Sequence, residues 1–280
     1  MSQKIYEMVT DRIVKLLESG VVPWRRPWKS GAAVNWLTQK PYRGINAVLL
    51  EAGEYATFKR ITEAGGTVKK GAKGEIVVFW KWLEKENGET GKTEKIPLLR
   101  YYKVFNIATQ CEGLESKRSD EPVYEHDPIE EAEQLITGFT DRPPIQFAPG
   151  RAFYRPSKDT ISVPPLEDYR QPEEYYCTLF HELVHSTGHS KRLDRSGITE
   201  LAAFGDENYS KEELIAELGA AMLCGVSGID NTTIDNSAAY INGWLRALKD
   251  DKRMIVQAAG KAQRAADYIQ GVRYEADDEE

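Results

Sequence analysis

The sequence is short of the residues that would place it in several common classes. It holds three cysteines in 280 residues, Cys111, Cys177 and Cys224, scattered and odd in number. That excludes a disulfide framework and fits a reducing compartment. Cys177 and Cys224 fall in apolar helical patterns and read as buried thiols. No apolar run approaches the length of a bilayer span. No basic segment followed by an apolar stretch opens the chain, so no signal peptide is expected and the protein reads as cytoplasmic, with no membrane partner. There is no internal repeat. Histidine is scarce, with four in the chain, so two of them four residues apart carry weight.

What is present divides unevenly. Residues 1–118 hold 21 Lys and Arg against 13 Asp and Glu, a surplus of eight positive charges, and five of the six tryptophans. The remaining residues hold 16 basic and 31 acidic side chains, a surplus of fifteen negative charges. The whole-chain charge of −7 conceals this contrast. The pattern predicts an α+β protein of two domains: a small mixed unit over 1–118, a polar linker at 119–127, a second domain at 128–274 and an acidic tail at 275–280. In the first unit, Ile5, Met8, Val9, Ile13, Leu16 and Leu17 recur at helical spacing, and Gly20 stops them. Residues 75–82 and 98–105 are β-rich and read as strands joined by a long hairpin loop containing Asn87-Gly88. In the second, Pro128 opens a helix that Pro143-Pro144 has broken. Short strands are expected near 145–147, 152–154 and 161–163. Pro172 starts a helix that ends at Gly188. Ser210 with Glu213 forms a capping box before a helix reaching about Gly225, and two more helices follow.

The chemistry concentrates in His181-Glu182-Leu183-Val184-His185. On a helix, residues four apart share a face, so His181 and His185 can grip one ion. Glu182 lies beside the first ligand, placed to act as the catalytic base that takes a proton from a water on the metal. This is the H-E-x-x-H logic of zinc peptidases. Two histidines and a carboxylate favour Zn2+, with Mn2+ or Fe2+ as alternatives. Such a site needs a third protein ligand. Glu217, set among small and apolar residues of a later helix, is the expected one. Glu213, one turn earlier, is the second choice, as a ligand or as a group orienting a histidine. His189 competes, but Gly188 interrupts the helix before it. Tyr154 and Tyr209 are candidates for stabilising an oxyanion, although structural tyrosines are commoner.

The basic half interleaves rings and cations: Trp24, Arg25, Arg26 and Trp28, then Tyr42 and Arg43, then Lys69, Lys70 and Lys73 before a strand rich in aromatics. Cations for phosphates and aromatic faces for unstacked bases are what single-stranded DNA requires. No duplex-reading helix or arm is evident. A structural use of the same tryptophans and charges competes with this reading.

Several segments in order along the chain resemble the ArdC-type antirestriction proteins of conjugative plasmids, phages and integrative elements. They are also similar to regions of TraC-type plasmid primases. In the first half these are Val22-Pro23-Trp24-Arg25-Arg26-Pro27-Trp28, Tyr42-Arg43-Gly44-Ile45-Asn46-Ala47, Tyr55-Ala56-Thr57-Phe58 and Gly65-Gly66-Thr67-Val68-Lys69-Lys70-Gly71. In the second they are Asp159 to Pro164, Tyr175 to His189, Arg192-Leu193 and Glu212 to Ala220. The resemblance implies an N-terminal single-stranded-DNA-binding domain, a C-terminal zincin-like metallopeptidase domain, and a role shielding incoming mobile-element DNA from host restriction. A protein substrate, restriction machinery among the candidates, goes with the peptidase reading. A DNA-coating module with a structural or idle metal site is the alternative. One departure is Ser186, where family members often carry tryptophan after the second histidine.

Overall fold

The computed structural model describes residues 2–24, 32–86, 93–118, 128–199, 207–229 and 238–272. The expected linker, acidic tail and His126 lie outside them, as do Arg25, Arg26 and Trp28. The first half runs α1 (Ser2–Glu18), β1 (Ala33–Asn35), α2 (Ile45–Leu49), β2 (Gly53–Thr57), α3 (Phe58–Glu63), β3 (Thr67–Val68), β4 (Glu75–Glu86), β5 (Thr93–Asn106), α4 (Ile107–Gln110) and β6 (Cys111–Glu112). The second half runs α5 (Pro128–Gly138), β7 (Ile145–Phe147), β8 (Phe153–Arg155), β9 (Thr160–Val163), α6 (Pro172–Thr187), α7 (Ser196–Thr199), α8 (Glu207–Ser227), α9 (Ala238–Asp250) and α10 (Met254–Gln270).

The long hairpin β4–β5 pairs antiparallel from Glu75 opposite Val104 to Glu86 opposite Thr93. It anchors a four-stranded sheet in the order β1-β2-β5-β4. Alternation assigns its faces. Val78 and Leu99 are buried in the main core with α1, while Val77 and Val104 form a smaller cluster on the opposite side. The edge of β4 is capped by a side chain: the Asn46 amide donates to the Val78 carbonyl and accepts from its N–H. That satisfies edge groups that would otherwise be open to pairing with another chain. In the second half, β9 lies between β7, parallel to it, and β8, antiparallel.

The two halves share one hydrophobic core. Ile5, Val9, Ile13 and Leu17 of α1 belong to the same buried cluster as Phe180, Leu183, Leu214 and Ile255. Polar contacts cross the same seam: Arg43 pairs with Asp267, and the Gly44 N–H donates to Gln263. Composition divides the chain where packing does not, because charge is read from the surface and the core is blind to it.

Helix α6 carries the histidines, and its ends follow from its sequence. Pro172 occupies the first turn, where its missing N–H costs nothing, and Glu173 and Glu174 complement the helix dipole. At the other end, a Cβ on Gly188 would stand 2.6 Å from Ile198 Cγ1, so the chain can turn tightly there only without a side chain. Helix α8 packs along α6. A Cβ on Gly219 would stand 2.8 Å from Val184 Cγ2, and Ala216, Ala220 and Ala221 are buried around it. Further along the same contact, the thiols of Cys177 and Cys224 approach to 3.0 Å. Overpacking of this kind costs about 1–3 kcal/mol. Gly219→Ala is therefore expected to lower the unfolding midpoint in a urea titration by that free energy. An unchanged midpoint would mean that the two helices are not in close contact here.

Candidate metal centre

The close contact between α6 and α8 brings acidic residues of one helix to the histidines of the other. The Nε2 atoms of His181 and His185 lie 3.0 Å apart. Glu213 reaches both, with one carboxylate oxygen 3.5 Å from His181 Nε2 and the other 3.4 Å from His185 Nε2. One donor atom from each of His181, His185 and Glu213 falls within 4.8 Å of the others. Two imidazole nitrogens and a carboxylate converging on one point match the donor set of a catalytic zinc site.

Glu217, the third ligand expected from the sequence, is not the carboxylate between the two Nε2 atoms. The helices run antiparallel, with Cys177 opposite Cys224 and His185 opposite Glu212. Glu213 is then level with the gap between the histidines, and Glu217 is one turn further along. Its carboxylate lies 3.7 Å from the Nδ1 of His181, on the back of that ring. Glu212 occupies the matching place behind His185, 3.5 Å from its Nδ1. His189 stands past the turn at Gly188, its Nδ1 accepting from the Lys191 N–H.

Sequence reading passed over Glu212 and Arg195. Both are buried, and the Arg195 guanidinium donates to both Glu212 oxygens, to the Thr187 hydroxyl and to the Val184 carbonyl. Ser210 and Glu213, expected as a capping box, lie inside α8, which begins at Glu207, and a glutamate next to Glu213 is by itself a common feature. Arg195 ties the end of α6 to α8 and holds Glu212 against His185. Removing one partner of such a pair strands a buried charge.

The electrostatics of this cluster favour positive charge. Burial alone would disfavour positive imidazoles, but the carboxylates outweigh it. His181 is raised, chiefly by Glu213, and His185 is pushed up to about 10 by Glu212 and Glu213. Burial would likewise raise the Glu213 carboxyl, yet the two imidazoles hold it far below the usual range. Positive charge is favoured at this point whether protons or a metal supply it. Glu182 is 7 % exposed, and among the described residues its carboxylate forms no ion pair or hydrogen bond. Tyr154 is committed elsewhere, its hydroxyl donating to Asp159, which also pairs with Arg192. The Tyr209 side chain lies outside the described residues.

Comparison with known proteins identifies the family. A family model described as the N-terminal domain of anti-restriction factor ArdC matches residues 3–105, and a zincin-like metallopeptidase model matches residues 130–261. The crystal structure of the antirestriction protein ArdC from plasmid R388, in its metal-free form, superposes with a TM-score of 0.75 at 38% identity, covering 96% of this chain and 99% of that one. The chain belongs to the ArdC antirestriction family. A Mn(II)-bound structure of the R388 protein matches equally well, covering 95% of this chain and 97% of that one. Curated relatives include the DNA primase TraC of Escherichia coli, 34% identical over 96% of this chain. The chain spans only 27% of that primase's length. The uncharacterized protein y4eC of Sinorhizobium fredii is 34% identical over 95% of this chain and 91% of its own length. In this chain a zincin-like domain follows the ArdC N-terminal domain, and the donor set points to a divalent metal. Among the described residues, no helix is long and apolar enough to cross a membrane.

The residues expected to meet DNA are placed variously. Trp24 is 2 % exposed and packs edge-on against Trp244 at 5.3 Å. It is a core residue, so its ring is not available to stack on a base. Truncating it would cost stability, about 3–5 kcal/mol for a buried aromatic. Arg43 is committed to Asp267 across the seam, and the Tyr42 ring packs edge-on against Tyr55. Lys69, Lys70 and Lys73 are exposed on the turn between β3 and β4, with the Lys69 ammonium donating to the Thr109 carbonyl. Beside that turn sits a ring that sequence reading missed. Phe58 is 61 % exposed at the start of α3 and stands 6.5 Å from Phe105. A Cβ on Gly74 would touch both Phe105 and Lys103, which places the lysine turn next to these rings.

Proposed function

We propose that this chain is an antirestriction protein that binds single-stranded DNA through its first half and carries a zinc-dependent, peptidase-type centre in its second. The convergence of His181, His185 and Glu213 on one point carries the second part of this reading. His181 and His185 would hold the ion through Nε2, and Glu213 through its carboxylate. Zn2+ suits that donor set best, and Mn2+ or Fe2+ are the alternatives. When bound, the ion supplies Lewis acidity, polarising a carbonyl and favouring water as a nucleophile near neutral pH.

The protein's own groups have distinct tasks. Glu182 is the base that accepts the proton of the attacking water and returns it to the leaving amine. Glu217 and Glu212 stand behind the two rings and fix which nitrogen faces the site, as carboxylates commonly do for ligand histidines. Arg195 keeps Glu212 in place. The substrate class is the peptide bond of a protein partner, and the biological role is protection of incoming DNA from host restriction.

The DNA-binding surface in this reading centres on Phe58 and Phe105, flanked by Lys69, Lys70, Lys73 and Lys103. A large ring exposed beside a cluster of cations is unusual for a surface with no ligand. Phe58→Ala is expected to weaken single-strand binding by about 1–3 kcal/mol without moving the unfolding midpoint. Fluorescence anisotropy at several salt concentrations checks this, and wild-type affinity should fall steeply with salt. Unchanged affinity in Phe58→Ala would remove this surface from the reading.

A further inference from the structure

A cleft of 280 Å³ opens between the turn that follows α6 and the exposed side of α10, lined by Leu193, Asp194, Arg195, Ser196, Lys261 and Arg264. We propose that it binds a phosphate-class oxyanion, the backbone phosphate of a nucleic-acid strand or the phosphate of a free nucleotide.

Lys261 and Arg264 are three residues apart on α10, so their side chains share a face. Among the described residues neither has an ion-pair or hydrogen-bond partner. Nearby basic residues differ: Arg43 is paired with Asp267, Arg192 with Asp159 and Arg195 with Glu212. Two cations left uncommitted beside a concavity are notable in a half whose acidic residues outnumber its basic ones by 31 to 16. Within the lining, Arg195 is neutralised by Glu212, and Asp194 is the only acid. One positive charge therefore remains in excess. A guanidinium fork, an ammonium and the Ser196 hydroxyl are the donors that a tetrahedral oxyanion uses.

The cleft also borders the seam between the halves. Gln263 and Asp267, on the same helix, hold Gly44 and Arg43 of the basic half. The basic half therefore lies against the helix that carries Lys261 and Arg264, and a free nucleotide can enter the cleft from solvent.

The test uses the full chain, wild type and Lys261→Gln/Arg264→Gln, with Lys4→Gln/Lys15→Gln, outside both proposed binding surfaces, as a control. All four side chains are exposed, and equal metal content and equal melting temperature in salt alone show that the fold is kept. In one arm, inorganic phosphate or a mononucleotide is compared with chloride at equal ionic strength. Phosphate should raise the melting temperature of the wild type and the control and leave the Lys261/Arg264 variant unmoved. In the other arm, a single-stranded oligonucleotide is titrated. Loss of two phosphate contacts should lower the slope of log affinity against log salt by about 1.4, at about 0.7 per contact, and weaken low-salt binding about tenfold. Loss of either response in the Lys261/Arg264 variant supports the site, and which response is lost tells free phosphate from strand. If the wild type binds no single strands, the reading of the first half fails while the phosphate arm still decides this one. Identical behaviour of wild type and Lys261/Arg264 variant in both arms overturns the proposal.

Discussion

Glu182→Gln is expected to abolish peptide hydrolysis while leaving the bound ion in place. Glu182 does not belong to the set of donor atoms that converge between α6 and α8, so removing its charge takes no ligand away. Its place on α6, directly after His181 and largely shielded from water, is that of a base next to the reacting centre. The amide keeps the size of the side chain and cannot accept the proton. General-base catalysis is worth about 10²–10⁴ in rate, so turnover of a peptide substrate should fall by that factor with metal content unchanged. Cleavage at the wild-type rate would refute the assignment. The same variant separates proteolysis from coating. In a restriction-protection assay, loss of protection ties the antirestriction role to hydrolysis, and full protection assigns it to coverage of the DNA.

The second large effect distinguishes two glutamates one turn apart on α8. Glu213→Gln is expected to weaken Zn2+ binding by more than about 100-fold, because it removes a charged donor that faces both imidazoles. Glu217→Gln removes a carboxylate behind one ring. Groups in that position are worth about 10–100-fold in affinity, so its loss should be smaller. Competition against a chromophoric chelator gives both affinities on one scale. The reverse order would return Glu217 to the ligand position.

The different fates of these two residues show what the sequence can convey. The histidines were legible because their geometry is local: four residues on a helix is a fixed separation. The place of Glu182 beside them was legible for the same reason. The third ligand depends on how two helices are registered, and Glu213 and Glu217 both fit any register that differs by one turn. The small residues Gly219 and Ala220 announced a close approach without saying where it falls. The tightest approach falls at Val184, and in the resulting packing Glu213 reaches both histidines. Apolar neighbours point to Glu217, but such neighbours suit a carboxylate behind a histidine ring as well as one between the pair.

The first half shows the complementary limit. Helix α1 and the hairpin β4–β5 followed from periodicity and alternation. The short elements β1, β2, α3 and α4 did not, because three to six residues are too few to display a period. Trp24 and Arg43 were read as DNA contacts because they lie in basic, aromatic stretches. Burial against Trp244 and pairing with Asp267 depend on α9 and α10, which lie some two hundred residues away in the chain. Phe58 is the converse case. A single phenylalanine in a sequence is presumed to be core, and only the fold leaves it in solvent.

Elemental analysis of the purified chain after dialysis against Zn2+ and then metal-free buffer, beside His181→Ala treated identically, is the most direct measurement. The expected result is one divalent ion per wild-type chain and a small fraction of that in the variant. Equal content in both proteins, or no retained ion in the wild type, would contradict the metal centre.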